Sequence, residues 1–257
     1  MIDDLLQELT EFEIEEEEDN SPLAPFFAEG IITDVVRTEK SGKEGTVYCC
    51  RADPSTGYDL VAAKVYRPRS RRSFKNDAVY HEGRVILNKR DARAVARKTD
   101  WGRETKFGSW IAHEFETLTQ LHALGSDVPK PLRKAASAIL MEYVGDEEAA
   151  ASKLREVELE PEEVRPLFNR MMQNIEVWLA NDLVHGDLSA YNVLYWDGSI
   201  TVIDFPQAID PRANPNAFDL LRRDIDNICH YWSGYGVRSD PTRIAQHLWN
   251  RFLRSEL

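Results

Sequence analysis

Three cysteines in 257 residues, Cys49, Cys50 and Cys229, are too few for a disulfide framework. With no Cys-x-x-Cys pair they read as packing thiols of a reducing cytoplasm rather than as metal ligands. No apolar run reaches the ~18–20 residues that a membrane span needs. The opening residues lack Lys and Arg, which speaks against a secretory signal with its basic start. What is present is ordinary for a folded chain: 42% hydrophobic, 10% aromatic and 30% charged residues. That composition excludes collagen, a long disordered polymer and a disulfide-built miniprotein, and it can bury a substantial core in one or two domains.

The net charge of −12 is unevenly placed. Residues 1–20 hold ten acids and no base, so they carry −10 of it. The rest of the chain is nearly neutral, so no bulk attraction to nucleic acid is expected. Residues 1–24 read as an acidic mobile tail, since the run Glu15–Asp19 repels itself. In contrast, 67–106 is polar and dense in Arg and Lys. Either that stretch is a solvated basic loop, or it contacts RNA, a ribonucleoprotein or an acidic partner. Tail and loop, opposite in charge, could also pair with each other.

Between these stretches the pattern is strand-like. Ile31–Thr38, Thr46–Arg51 and Leu60–Tyr66 are β-branched or apolar and are separated by glycine-containing turns, as in an antiparallel meander. Residues 107–124 show helical apolar spacing that stops at Gly125, and Ala138–Tyr143 reads as another strand. After residue 144 the chain is mainly helical. Pro161 opens a helix through Leu179 with Glu162 and Glu163 favourable at its start. Short strands are expected at Val193–Tyr195 and Ile200–Ile203, and helices at Ala217–Trp232 and Thr242–Leu253. A strand-rich half followed by a helical half suggests two lobes around one cleft.

The segment LVHGDLSAYNVLYWDGSITVIDF, residues 183–205, carries the chemistry. It reads as an apolar strand, His-Gly-Asp, an Asn five residues on, a hairpin, and Ile-Asp-Phe. Asp187, Asn192 and Asp204 are oxygen donors at turns and strand ends. Hard cations such as Mg²⁺ take such ligands and leave room for phosphate oxygens. Singly, each of the three could merely end a strand. As an ordered set they match the division of labour in phosphoryl transfer, with Asn192 and Asp204 on the metal and Asp187 facing the acceptor.

The HGD with its +5 Asn and downstream ID-F, narrowed by DLSAYN, resembles the RIO family of atypical serine/threonine protein kinases. The resemblance runs from about residue 30 nearly to the end. It implies an α+β fold of the small two-lobed kinase type. An N-lobe over 25–143 would hold an antiparallel sheet, helix C and the 67–106 insertion, and 144–257 would form a mainly helical C-lobe. It implies Mg²⁺-dependent ATP phosphotransfer, with Mn²⁺ as an alternative ion, through autophosphorylation or ATP hydrolysis.

Further segments support it. KSGKEGTVY, residues 40–48, resembles the RIO nucleotide loop. There Gly42 and Gly45 would let backbone amides approach phosphate, with Ser41 and Lys43 adding donors and Val47 completing the set. Lys64 in VAAKVY would hold the α/β-phosphates, as in the VAIK motif. Its ion-pair partner would be Glu114, preferred over Glu116 because it aligns with Trp110, Leu118 and Leu121. In AILMEYVG, Met141 would guard the back of the adenine pocket, and the backbone of Glu142 and Val144 would bind the adenine edge. Asp224 would anchor the catalytic loop, and His185 would brace it.

Three departures stand out. Proline follows Asp204-Phe205 where kinases have glycine, no Ala-Pro-Glu motif follows, and Ser189 stands where many kinases carry lysine. The first two leave no docking surface for a peptide, so the protein substrate does not carry over. Two other functions compete. One is a small-molecule kinase of the aminoglycoside or choline type, which also carries HGD and a +5 Asn. The other is an ATP-gated assembly factor for a ribosomal particle.

Overall fold

The computed structural model describes residues 21–42, 45–67 and 100–257, the side chains of 100–106 excepted. The acidic tail, Lys43 and nearly all of the basic insertion thus lie outside the described residues. The chain divides into two compact units. Of the described residues, 21–67 and 132–143 belong to the first, and 100–131 and 144–257 to the second.

β-Branched and aromatic residues in alternation build the first unit. A short helix α1 (Ala24–Ala28) precedes strands β1 (Ile32–Ser41), β2 (Gly45–Ala52) and β3 (Leu60–Tyr66). The β2–β3 turn holds Gly57 at φ 77° and Asp53, whose carboxylate accepts the Ser55 N–H at 2.9 Å. Strands β4 (Pro131–Lys134) and β5 (Ala138–Glu142) complete a five-stranded sheet ordered β1-β2-β3-β5-β4. Pairs β1/β2, β2/β3 and β3/β5 are antiparallel.

Side chains alternate across this ladder. Cys50, Ala52, Val61, Ala63, Ala138 and Leu140 meet Leu23, Phe26 and Ile32 in one core. Their neighbours therefore point to the opposite face. Register places Val47 beside Lys64 and Lys64 beside Ile139, with Cys49, Ala62 and Met141 in the next row. The adjacent cysteines divide between the two faces; all three cysteines are buried and unbridged.

The second unit begins with a long helix α2 (Asp100–Ala123), which ends at Gly125 with φ 73°. Strands β6 (Ser152–Lys153), β7 (Val193–Trp196) and β8 (Ser199–Val202) form a small sheet. The β7–β8 turn has positive φ at Asp197 and Gly198, the geometry of a two-residue hairpin that suits twisted strands. Helix α3 (Pro161–Ala180) starts with the Glu163 carboxylate accepting the Glu160 N–H at 3.1 Å. It buries Val164, Leu167, Phe168, Met171, Ile175, Trp178 and Leu179 on one stripe. Helices α4 (Ala217–Ser233) and α5 (Pro241–Leu253) follow, the latter capped by Asp240 accepting the Arg243 N–H.

One expectation changes. Leu183-Val184 is not a strand. Both side chains are buried, but Val184 forms only an isolated antiparallel bridge with Ile209. The chain turns at once through Gly186, at φ 82°, so no second rung can form.

Candidate active site

In the first unit the site residues are set by the β ladder. Ser41 ends β1 opposite Thr46, and the Gly42 N–H donates to the Gly45 carbonyl at 2.9 Å. Gly45 is a glycine because β3 passes so close: a Cβ there would lie 2.2 Å from the Val65 carbonyl oxygen. Arg67 reaches back along this hairpin. Its Nη2 donates to Ser41 Oγ at 2.6 Å and Thr46 Oγ1 at 3.3 Å. A cation therefore already sits on the loop's hydroxyls, a role the sequence reading had not given to Arg67. Lys64, half-buried, holds its ammonium 5.0 Å from the Tyr66 ring centroid. Met141 is buried and Glu142 lies opposite Val61.

Glu114 and Val144 fall in the second unit. Glu114 is buried and Glu116 exposed, as the apolar stripe on their helix requires. The Val144 carbonyl accepts the Ala151 N–H at 2.8 Å.

The second unit gathers Asp187, Asn192 and Asp204. The loop bearing Asp187 hangs from helix α4. Asp224, fully buried there, accepts the Gly186 N–H at 2.7 Å and the Leu188 N–H at 3.0 Å. Asn227 Nδ2 donates to the Leu188 carbonyl at 3.0 Å, and Arg223 donates to the Gly186 carbonyl. His185 braces the loop from the other side. Its Nδ1 accepts the Asp187 N–H at 3.2 Å, while Nε2 lies 3.3 Å from the Ile203 carbonyl. Those partners call for the tautomer with its proton on Nε2. The imidazole packs on Phe205 with centroids 4.5 Å apart, and Trp178 covers both rings.

Asn192 and Asp204 are tied to the same loop. Asn192 Nδ2 donates to the Asp187 carbonyl at 2.9 Å, so this contact uses the amide nitrogen and not Oδ1. The Ile203 N–H donates to the Asn192 carbonyl at 2.9 Å. Asp204 then adopts φ 65°, a left-handed conformation that Asp tolerates better than most residues. Helix α2 holds what comes next: Trp110 Nε1 donates to the Pro206 carbonyl at 3.2 Å, and His113 Nε2 lies 3.0 Å from the Ala208 carbonyl.

Electrostatics mark the same cluster. Asp187 is exposed by surface area, yet crowding by the surrounding protein pushes its pKa upward. The Arg223 charge opposes that shift, the Asp204 carboxylate adds to it, and a hydrogen bond from Asn192 reduces it. Burial raises Asp224 to about 7 against the pull of its two backbone N–H bonds and Arg223. Sequence reasoning did not find Arg223; the signal was there in its place directly before Asp224.

The donor set suits Mg²⁺. Asn192 and Asp204 offer two hard oxygens, and the like charge of Asp187 is close enough to matter. Among the described residues, no group of three or more His, Cys, Asp and Glu is arranged to hold a metal. A two-residue set leaves coordination positions for phosphate and water.

An antiparallel sheet unit joined to a helical unit, with a His-Gly-Asp loop hung from a helix aspartate, is a protein-kinase-like fold. The RIO domain family matches residues 46–244, and the chain belongs to that family. It is 31% identical over 208 residues to the RIO-type serine/threonine-protein kinase Rio1 of Haloferax volcanii, covering 80% of this chain and 66% of that one, just under two thirds. It is 28% identical over 193 residues to Rio1 of Thermoplasma acidophilum, covering 75% of this chain and 95% of that one. Among solved structures, the Rio2 kinase of Chaetomium thermophilum in an ADP/Mg²⁺-phosphoaspartate complex superposes with TM-score 0.63 at 21% identity, covering 88% of this chain and 64% of that one.

Proposed function

We propose that this chain is a Mg²⁺-dependent ATP phosphotransferase of the RIO serine/threonine kinase type, with serine or threonine hydroxyls, its own included, as acceptors. The observation that carries this reading is the convergence of Asp187, Asn192 and Asp204 on one loop system in the second unit. Asn192 and Asp204 would hold Mg²⁺, which when bound neutralises phosphate charge. Asp187 orients the acceptor hydroxyl and takes its proton late, as the acceptor oxygen bonds to the γ-phosphorus and the bond to the β–γ bridging oxygen breaks. From the first unit, Lys64 and residues 41–47 would bind the phosphates, with Arg67 beside them. Backbone groups of Glu142 and Val144 would take the adenine edge, the Val144 N–H in particular, since its carbonyl already accepts from Ala151. We further assign the lobe boundary to Tyr143–Val144, one of the points at which the chain passes between the two units. No helix among the described residues is long and apolar enough to cross a membrane. We place the activity in the cytoplasm, where three unbridged cysteines would stay reduced.

The test is incubation of purified protein with γ-labelled ATP and Mg²⁺, following labelled protein and free phosphate together. The wild type should yield one or both. D187A should lose turnover by at least about 10²-fold while retaining ATP affinity. Near-normal turnover in D187A would sink the assignment.

A further inference from the structure

The loop around Asp187 concentrates negative charge. Asp187 stands on it, and the Asp224 carboxylate is buried directly beneath the backbone of Gly186 and Leu188. Ser189, two residues after Asp187, brings no charge of its own. Yet the proposed chemistry brings more negative charge here, in the phosphates and the acceptor oxygen. A fixed cation at this place would offset part of that charge without needing to move during the reaction.

Arg223 is that cation. It stands on helix α4 immediately before Asp224, and its Nη2 donates to the Gly186 carbonyl. That carbonyl belongs to the peptide group whose N–H is the N–H of Asp187. Arg223 therefore holds one side of this peptide while His185 Nδ1 accepts from the other. Its charge attracts both Asp187 and Asp224. A guanidinium keeps its proton at any working pH and has a planar fork of donors, so it can bond a carbonyl and face a carboxylate at once. The preceding residue supplies a contrast. Arg222 faces Asp219 at 3.8 Å on the exposed side of the helix, an arrangement worth little.

We propose that Arg223 is a positioning residue for phosphoryl transfer: it clamps the Gly186–Asp187 peptide from the α4 side and keeps a fixed positive charge on the loop that carries Asp187. The assignment rests on the kinase reading above and names a further residue of the same site. It predicts that Arg223 acts on kcat rather than on ATP binding, because the Gly186 carbonyl it holds lies on the loop that carries Asp187.

The experiment compares wild type, R223M, R223K and R222M in transfer of labelled phosphate, with circular dichroism as a check on folding. R223M should lower kcat roughly 10- to 100-fold, with the KM for ATP within about twofold of wild type. R223K should recover part of the loss, because it keeps the charge but not the fork. Added guanidinium chloride at low millimolar concentration should raise R223M turnover, where potassium chloride of equal ionic strength does not. R222M should match wild type. Wild-type kcat in folded R223M would overturn the proposal. So would a slow R223M that neither lysine nor guanidinium improves, since a purely structural role would leave that pattern. If R223M does not fold, R223K decides: a loss of about threefold or more in kcat at unchanged KM supports the clamp, and wild-type kcat rejects it. A wild type that transfers no phosphate would remove the kinase reading itself, a result seen before any variant is measured.

Discussion

The two units hold their functional side chains by different physical means. In the first, placement is collective. Val47, Lys64 and Met141 share a face because two antiparallel pairings agree on register, and a one-residue slip would turn every side chain of a strand over. In the second, placement is concentrated. The loop bearing Asp187 depends on a few side chains that bond its backbone, three of them from adjacent turns of α4: Arg223, Asp224 and Asn227. A ladder spreads a local error over many hydrogen bonds. A loop hung on one carboxylate does not.

The sharpest way to break this comparison is to remove the carboxylate. D224A leaves the buried Gly186 and Leu188 N–H groups without an acceptor and should cost about 2–4 kcal/mol in urea unfolding, along with most of the turnover. The same residue gives the second unit a pH signature. Its folded pKa, about 7, lies above the unfolded value near 3.8. Between those values the folded state keeps a proton that the unfolded state has released, so this group's contribution to stability declines as pH rises through the window and levels off above it. The full effect is of order a few kcal/mol. D224N should flatten that slope; an unchanged pH–stability curve in D224N would assign the slope to other groups.

A smaller effect belongs to the ladder. In G45A the new Cβ would meet the Val65 carbonyl oxygen at 2.2 Å, so β2 and β3 must separate locally. The expected loss is about 1–3 kcal/mol, with a raised KM for ATP and a kcat little changed. A fall confined to kcat would blur the distinction between the units.

The smallest effects should come from exposed ion pairs in either unit. Arg133–Glu29 at 2.6 Å in the first and Arg212–Asp182 at 2.5 Å in the second are both open to solvent. E29A and D182A should each shift stability by no more than about 0.5 kcal/mol. A larger shift in D182A alone would mean that the second unit is sensitive to charge in general and not to Asp224 in particular.

Most of the fold could be read in advance because its signals are local. Strand Leu60–Tyr66 has the expected bounds, and the helices at Pro161, Ala217 and Pro241 start within a residue of where proline, acidic residues and apolar spacing place them. The misses were elements without such signals. Strand β4 is PLRK, short, polar and at the sheet's end, where proline is tolerated and no alternation is needed. Helix α2 begins at Asp100, seven residues before its apolar stripe, in a polar turn with a glycine. The five-residue α1 is too short to show a period.

The site divides along the same line. Asp187, Asn192 and Asp204 could be picked out because a tight turn and a hairpin of short span bring them near each other in sequence order. The positions of Gly42 and Gly45 and the lysine strand were legible for the same reason. Arg223 and Arg67 were not, since each finds its partners across a separation no local pattern records: 37 residues from Gly186 for the first, 26 from Ser41 for the second.

Near-neighbour chemistry was thus sufficient for the elements and the kinship, because turn residues and side-chain alternation act over a few positions. Folding in three dimensions chose which arginine holds the Gly186 carbonyl, which one reaches Ser41, and which proton His185 keeps. A hydrogen bond or a charge contact exists only where packing closes the gap to about 3 Å. For partners tens of residues apart, that closure is the work of the whole core.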